Sequence, residues 1–437
     1  MRQPLLLALA LGSVVTAAAD GLPVDADRAV ELAFAASDRR EAAAARVTAA
    51  ERQVESADAR RLPTVDLEAA VAHRSSVPET VFPASIPDIG GFVLYPDIRN
   101  TTQAGVVLNQ PLWTGGAIAG SREASRHEAD AAAAEAARVD DDLRFQARSA
   151  YWNAVAAQAA REAARAEVER AERLLDDARA LRAAGMAVRA DELGAEARAA
   201  AARVRLIEAE AGLSNRLAEL RSLLGLPRGS GLELVDGGAR LPSVPPDLEA
   251  LLAEARSARS ELAALEARRD ALASRSKTVG APDRPQLSLG ARWDVARPNQ
   301  RYFPLEDEWN TSWSVGLYAG WRVFDGDRSD AEVAAVDAER SAVEAEIAEL
   351  ERRIALDVET ARHSLEAARA ADLAADAAVA AAAAREASSR DRYAAGIATV
   401  SEVLDAQAEL AEAELSLARA RSGAWLADAG LRRAVGR

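Results

Sequence analysis

The chain contains no cysteine. A disulfide framework, a thiolate metal site, a cysteine nucleophile and acylation of an N-terminal cysteine are therefore excluded. Histidine is almost as scarce. His73, His127 and His363 are scattered, whereas a metal site needs several ligands converging on one point, so neither a metal centre nor a cofactor is expected. Aromatic residues make up only 4% of the sequence and the net charge is −15. No basic stripe interleaved with aromatics is present, and a nucleic-acid partner is not expected. No nucleophile–base constellation, phosphate loop or metal cluster stands out, so no catalytic residue is assigned and the chain reads as a non-enzyme. After the first twenty residues there is no apolar run long enough for a transmembrane helix.

What the chain does have is alanine, glutamate and arginine in abundance, with proline and glycine confined to a few clusters. That composition belongs to very long helices. The N-terminus, from Met1 and Arg2 through Leu5-Leu-Leu-Ala-Leu-Ala-Leu11 to Ala17-Ala-Ala19, reads as a secretory signal peptide over 1–19, cut after Ala19. The mature chain, starting near Asp20, is thus expected to be exported.

Two stretches organise the rest. In Arg392-Tyr-Ala-Ala-Gly-Ile-Ala-Thr-Val-Ser-Glu-Val-Leu-Asp-Ala-Gln407 a long helical pattern runs into Gly396 and another starts directly after it. Glycine takes the left-handed conformation that ends a helix. Thr399 or Ser401 caps the next helix, with Glu402 in its first turn, where the dipole favours acid. This is a tight tip between two antiparallel helices. An equivalent tip occurs in Arg182-Ala-Ala-Gly-Met-Ala-Val-Arg-Ala-Asp-Glu-Leu193, and Gly396 follows Gly185 by 211 residues. The same offset relates Trp113 to Phe324, Gly115 to Gly326 and Gly225 to Gly436. The chain is therefore a tandem duplication. The first repeat covers 20–227, a Gly/Pro-rich linker 228–246, and the second repeat 247–437.

Each repeat opens with a helix, then carries a pair of strands, then a long helical hairpin. The strand pairs lie within 63–113 and 285–324, and the hairpin tips near 185 and 396. Val65, Leu67, Ala69 and Val71 alternate with Asp66, Glu68 and Ala70, and Leu287, Leu289, Ala291, Trp293 and Val295 alternate with Gln286, Ser288, Arg292 and Asp294. Each strand has one apolar and one polar face. Residues 75–100, with Pro78, Pro83, Pro87, Gly90, Gly91 and Pro96, read as a long loop between the first two strands.

Four strands of this kind are the wall of a membrane barrel, yet four cannot close one, and an open sheet edge does not exist in lipid. Several chains must contribute. Trp113, Trp293, Trp309, Trp313 and Trp321 lie in or beside strands, as interface girdles require. Two other readings account for part of this. A soluble sheet capped by helices fits the alternation. A periplasmic coiled-coil scaffold or adaptor without a barrel fits the heptad-like Val336, Val343, Ile347, Leu350, Ile354 and Val358. The first leaves the apolar faces with no separate helical layer of suitable length to cover them, and the second does not explain a strand pair inserted at the same point of both halves.

Pro111-Leu-Trp-Thr-Gly-Gly116 at a strand-to-helix junction and Tyr393 to Gln407 at a helix tip resemble the TolC-type outer-membrane efflux proteins. The resemblance extends over nearly the whole mature chain. It implies a mainly α fold with β: a long α-helical barrel continuous with a trimeric 12-stranded transmembrane β-barrel, four strands per chain, with internal duplication. It implies a homotrimer in the outer membrane of a Gram-negative bacterium, extending into the periplasm. Such a trimer is the exit duct of a tripartite efflux or type I secretion system. It works with a periplasmic adaptor and an inner-membrane pump and releases drugs, small toxic molecules or proteins passively.

In that family, acids just after the second tip line a narrow periplasmic mouth. Glu402 and Asp405 match them, and a spacing of three puts both on one helix face. Tyr393 matches a tyrosine that helps hold the mouth shut, and Asp191 an acid of the first hairpin. Gly185, Met186, Ala187 and Val188, with Gly396, Ile397, Ala398 and Thr399, match the tips that meet the adaptor. Ala398 stands where an arginine latch is found in the family's best-known member, and Arg322 and Asp327 stand where proline and glycine are usual.

Overall fold

A computed structural model describes residues 21–82, 92–235 and 241–437. The signal peptide expected at 1–19 lies outside these, as do Pro83, Pro87, Gly90 and Gly91 of the expected loop and residues 236–240 of the linker. In chain order the elements are β1 (Leu22–Val24), α1 (Ala26–Ala36), α2 (Asp38–Ala59), β2 (Thr64–His73), β3 (Thr80–Phe82), β4 (Phe92–Tyr95), β5 (Asn100–Thr114), α3 (Ala117–Ala183), α4 (Arg189–Leu223), β6 (Leu232–Leu234), α5 (Leu248–Ala258), α6 (Ser260–Val279), β7 (Gln286–Arg297), β8 (Asn310–Gly320), α7 (Arg328–Ala394) and α8 (Val400–Val435). The fold is mainly α with β. The chain divides into two compact units, residues 46–133 with 264–347, and the remainder.

The first of these units contains an antiparallel sheet in the order β2-β5-β7-β8. Opposed residues point to the same side of a sheet, so the register defines its faces. Val65, Leu67 and Ala69 of β2 oppose Leu108, Val106 and Ala104 of β5. Those oppose Ala291, Trp293 and Val295 of β7, which oppose Val315, Trp313 and Thr311 of β8. The alternation read in each strand therefore merges into one continuous apolar face. That face is bare: Leu67 is 84% exposed and Trp313 71%. Trp113, Trp293, Trp309 and Trp321 are exposed as well.

The opposite face is polar. Arg292 donates to Glu68 at 2.9 Å, reaching across β5 above Gly105, which opposes both Glu68 and Asp294 and has no side chain to block the path. Pro111 has no N–H for a ladder bond, and the register of β5 on β7 shifts between Pro111 and Trp113. Among the described residues the sheet's outer strands, β2 and β8, each have a partner on one side only.

The same unit holds the helix segments next to the sheet. Asp58 of α2 accepts from Arg122 of α3, which holds its carboxyl below the usual carboxylate range. Lys277 of α6 pairs with Glu123 of α3 at 2.8 Å. A side chain at Gly120 would strike Thr278 Oγ1 at 2.6 Å and the Ser274 carbonyl at 2.8 Å, so α3 and α6 approach closely there because that position is glycine.

The second unit holds both hairpins. α3 and α7 have 67 residues each, about 100 Å at ~1.5 Å per residue. Its main apolar core joins Val24, Ala29, Ala33, Leu143, Tyr151 and Leu220, with Trp152 stacked on Trp425 at 4.6 Å between centroids.

Three stretches depart from the expectation. The single opening helix of each repeat is two helices, broken at Ser37 and at Arg259. The cause is contact. A Cβ at Gly225 would meet Ala36 Cβ at 2.4 Å, and one at Gly436 the Ala258 carbonyl carbon at 2.9 Å. A helix end thus abuts each break in both repeats. The expected linker contains β6, which pairs in parallel with β1, and Val235 accepts from the buried Tyr151 hydroxyl at 2.8 Å. The expected loop at 75–100 contains the hairpin β3–β4. Both missed pairs consist of strands of three or four residues, too short for alternation to register.

Candidate functional site

The two tips share one backbone design. Gly185 and Gly396 have φ +75° and +72°. Gly185 N–H donates to Arg182 O at 3.0 Å and Met186 N–H to Leu181 O at 2.9 Å. Gly396 N–H donates to Tyr393 O at 2.9 Å and Ile397 N–H to Arg392 O at 2.8 Å. These are the paired bonds of a Schellman C-cap, which satisfy the last helical carbonyls. The chain then re-enters a helix within four residues. Met186 is 72% exposed and Ile397 71%. Gly185, Val188, Gly396 and Thr399 are exposed too, while Ala187 and Ala398 are half-buried.

Entry into the return helices differs. Thr399 and Glu402 form a reciprocal capping box: Thr399 Oγ1 accepts from Glu402 N–H and Glu402 Oε1 from Thr399 N–H, both at 3.4 Å. Val188 occupies the same place in the first tip and has no side-chain acceptor. Only the return bond forms there, Val188 N–H to Asp191 Oδ2 at 3.3 Å.

Just inside the tips an apolar cluster joins the two hairpins. Ala171, Leu174, Leu175 and Ala178 of α3 meet Ala195, Ala199 and Ala202 of α4, together with Tyr393, Val400 and Val403 of the second hairpin. The alanines recur at spacings of three and four, the stripe that lets helices approach closely. Tyr393 is 6% exposed and its hydroxyl has no hydrogen-bond partner among the described residues. Burial pushes its phenol above the ordinary value, and the nearby negative charges of Asp191 and Asp177 push the same way. The structure therefore brings Tyr393 and Asp191 close without a bond between them.

The acids predicted for the mouth differ from each other. Glu402 is committed locally: besides the capping box it pairs with Arg392 at 3.4 Å. Asp405, one turn further along, is exposed. Ala398 packs at the border of the apolar cluster, so the polar link between hairpins lies elsewhere. Arg170 of α3 grips Glu414 of α8 through two bonds, at 3.1 and 2.6 Å, and Gln407 Nε2 reaches Arg170 O at 3.5 Å. Glu167, 4% exposed, pairs with Arg198 and Arg205 of α4. Glu192 takes Arg182 and Arg179, and the Arg182 bond holds its carboxyl below the usual range. None of these pairs was foreseen. Arg170 and Glu414 are 244 residues apart, and one arginine among many carries no local sign of its partner.

The model of the outer membrane efflux protein family matches residues 32–226 and 251–437, one segment in each half. The chain belongs to the outer membrane efflux protein family. Solved structures agree in fold. The chain is similar to the outer membrane protein VceC of Vibrio cholerae (TM-score 0.78, 20% identity, 94% of this chain and 96% of that one). It is similar to the MtrE outer membrane channel of Neisseria gonorrhoeae in its open state (0.77, 17%, 94% and 88%), and to the CmeC outer membrane channel of Campylobacter jejuni (0.76, 14%, 94% and 85%). No curated protein matches the chain. The protein is thus an outer-membrane exit duct of an efflux system, of the TolC-like type, and its family and fold are those of channels rather than enzymes. That membership places the chain in the outer membrane, which the reading as a periplasmic scaffold or adaptor does not account for.

Proposed function

We propose that three copies of the chain assemble into one duct. Their twelve strands close a single barrel in the outer membrane, and their helical hairpins form a periplasmic tunnel that meets an adaptor and an inner-membrane pump. The observation that carries this reading is the four-stranded sheet. It has a continuous bare apolar face and two outer strands, β2 and β8, with a partner on one side only. In lipid an unpaired edge costs several kcal/mol for each orphaned backbone group, and pairing β8 of one copy with β2 of the next removes every edge.

On this reading the tips around Gly185 to Val188 and Gly396 to Thr399 dock the adaptor. They are small, largely exposed and apolar at Met186 and Ile397. The mouth lies beside them. Glu402 spends its carboxylate on its own cap and Arg392, so the acidic ring is carried chiefly by Asp405, with Tyr393 and Asp191 supporting the hairpin interface behind it. Crowded carboxylates repel one another and gain by sharing a cation.

In a planar bilayer, a trivalent cation added on the periplasmic side blocks the current. Asp405→Ala removes most of that block, and Glu402→Ala removes less. Equal block of the parent and of the Asp405→Ala channel would place the constriction elsewhere.

A further inference from the structure

The loop between β7 and β8, residues 298–309, lies at the strand ends remote from the helices, and it does not stand away from the sheet. Pro298 and Asn299 are buried. Asn299 Nδ2 donates to Asn310 O at 3.0 Å and to Ser312 Oγ at 3.2 Å, and its Oδ1 accepts from Arg301 N–H at 3.0 Å. Ser312 Oγ in turn donates to Asp294 Oδ2 at 2.8 Å. Two clamps follow: Arg301 Nη1 reaches Trp313 O at 2.5 Å and the Tyr302 hydroxyl reaches Thr311 O at 3.0 Å. Arg297 and Asp307 close the base of the loop with two bonds, at 3.0 and 3.1 Å.

The face on which the loop lies decides its meaning. Ser312 and Asp294 are opposed residues of the polar face. A cavity of about 490 Å³ lies beneath the loop, between residues 298–301 and a floor that includes Ala70, Gln103, Arg292 and Ser314. By register these floor residues belong to the same polar face. A long loop that buries a fully bonded amide is held in one position, and long ordered loops in compact folds are usually functional.

We propose that residues 298–301 form a strap across the outward end of the duct, pinned by Asn299, which narrows the exit and sets the size of solute that passes. The proposal rests on the barrel proposed above: with the continuous apolar face turned to lipid, the polar face lines the lumen. Each copy contributes one strap, so three of them crowd a single opening. Gln300 and Arg301, both exposed, present a polar rim there.

The absence of cysteine makes the test direct. Ser288, on the polar face toward the helical end of β7, becomes a single reporter as Ser288→Cys. Intact cells are treated from outside with a small charged methanethiosulfonate or with a maleimide carried on a long polyethylene glycol chain. With the strap in place the small reagent reacts quickly and the long one slowly. Adding Asn299→Ala shifts the balance from closed to open and speeds the long reagent by about tenfold, leaving the small one unchanged. Arg301→Ala with Tyr302→Phe, which keeps the buried amide and removes only the two clamps, gives a smaller acceleration. The strap is refuted if the long reagent is as fast as the small one with the strap intact, or if it stays slow in both variants. A reporter that reacts with neither reagent in a correctly assembled duct refutes instead the assignment of the polar face to the lumen.

Discussion

The two hairpin tips are built on the same backbone with different side chains. Gly185 and Gly396 have almost equal φ, and the same two hydrogen bonds close each preceding helix. One residue group later the copies diverge. The second tip has a complete capping box in Thr399 and Glu402, and the first has Val188 with only the return bond from Asp191. Asp191 and Glu402 occupy equivalent positions, but Asp191 is half-buried and lies near Tyr393, whereas Glu402 is exposed and tied to its own hairpin. The strand-to-helix junctions show the same contrast. Gly115 and Gly116 have φ +63° and +101°, while Gly326 and Asp327 have +75° and +61°. Aspartate tolerates the left-handed region better than most residues, so that junction keeps its shape with one glycine fewer. Positions that need a left-handed backbone are thus nearly the same at the two sites, while caps and partners differ. The first tip starts its return helix with a weaker cap, and Arg182 and Arg179 pair with Glu192 one residue beyond Asp191.

The largest effect is expected where the two tips share a core. Tyr393→Ala removes a buried ring from a cluster made by both hairpins, and costs roughly 3–5 kcal/mol of local stability. Hydrogen exchange of the amides in α4 and α8 next to the tips measures this, and both hairpins respond. Tyr393→Phe removes a hydroxyl that has no partner, so it is neutral or slightly stabilising. A large loss in Tyr393→Phe would mean that the hydroxyl latches the hairpins after all.

Gly185→Val and Gly396→Val are next. A Cβ meets nothing within 4 Å at either position, so the penalty is backbone strain alone, about 1–2 kcal/mol, and it is the same at the two tips. Unequal penalties by the same exchange measurement would show that the backbones are less alike than their dihedrals.

The caps then separate the copies. Thr399→Ala costs about 1 kcal/mol. Val188→Thr completes the box in the first tip and gains about 0.5–1 kcal/mol there. If Val188→Thr leaves exchange in the first turn of α4 unchanged, the missing acceptor was not what distinguishes the tips.

Much of this architecture was legible in the sequence because it is periodic or punctuated. The offset between Gly185 and Gly396 marked the two tips of like backbone, and strict alternation in residues such as Leu287 to Val295 marked strands and their apolar face. The breaks at Ser37 and Arg259 were not legible, because their cause is a helix end packed against Ala36 or Ala258 from far along the chain. The pairing of β1 with β6 and the grip of Arg170 on Glu414 are likewise set by tertiary proximity. At the candidate mouth the sequence placed Glu402 and Asp405 on one helix but gave them equal weight. Only the structure shows that one of them is already used as a cap.

If the four-stranded sheet is one third of a closed barrel, the mass of the assembly shows it most directly. Light scattering of the chain extracted from the outer membrane in mild detergent, corrected for bound detergent, gives the number of copies. A single species of three chains is expected. A monodisperse single chain, with β2 and β8 left as free edges, would contradict it.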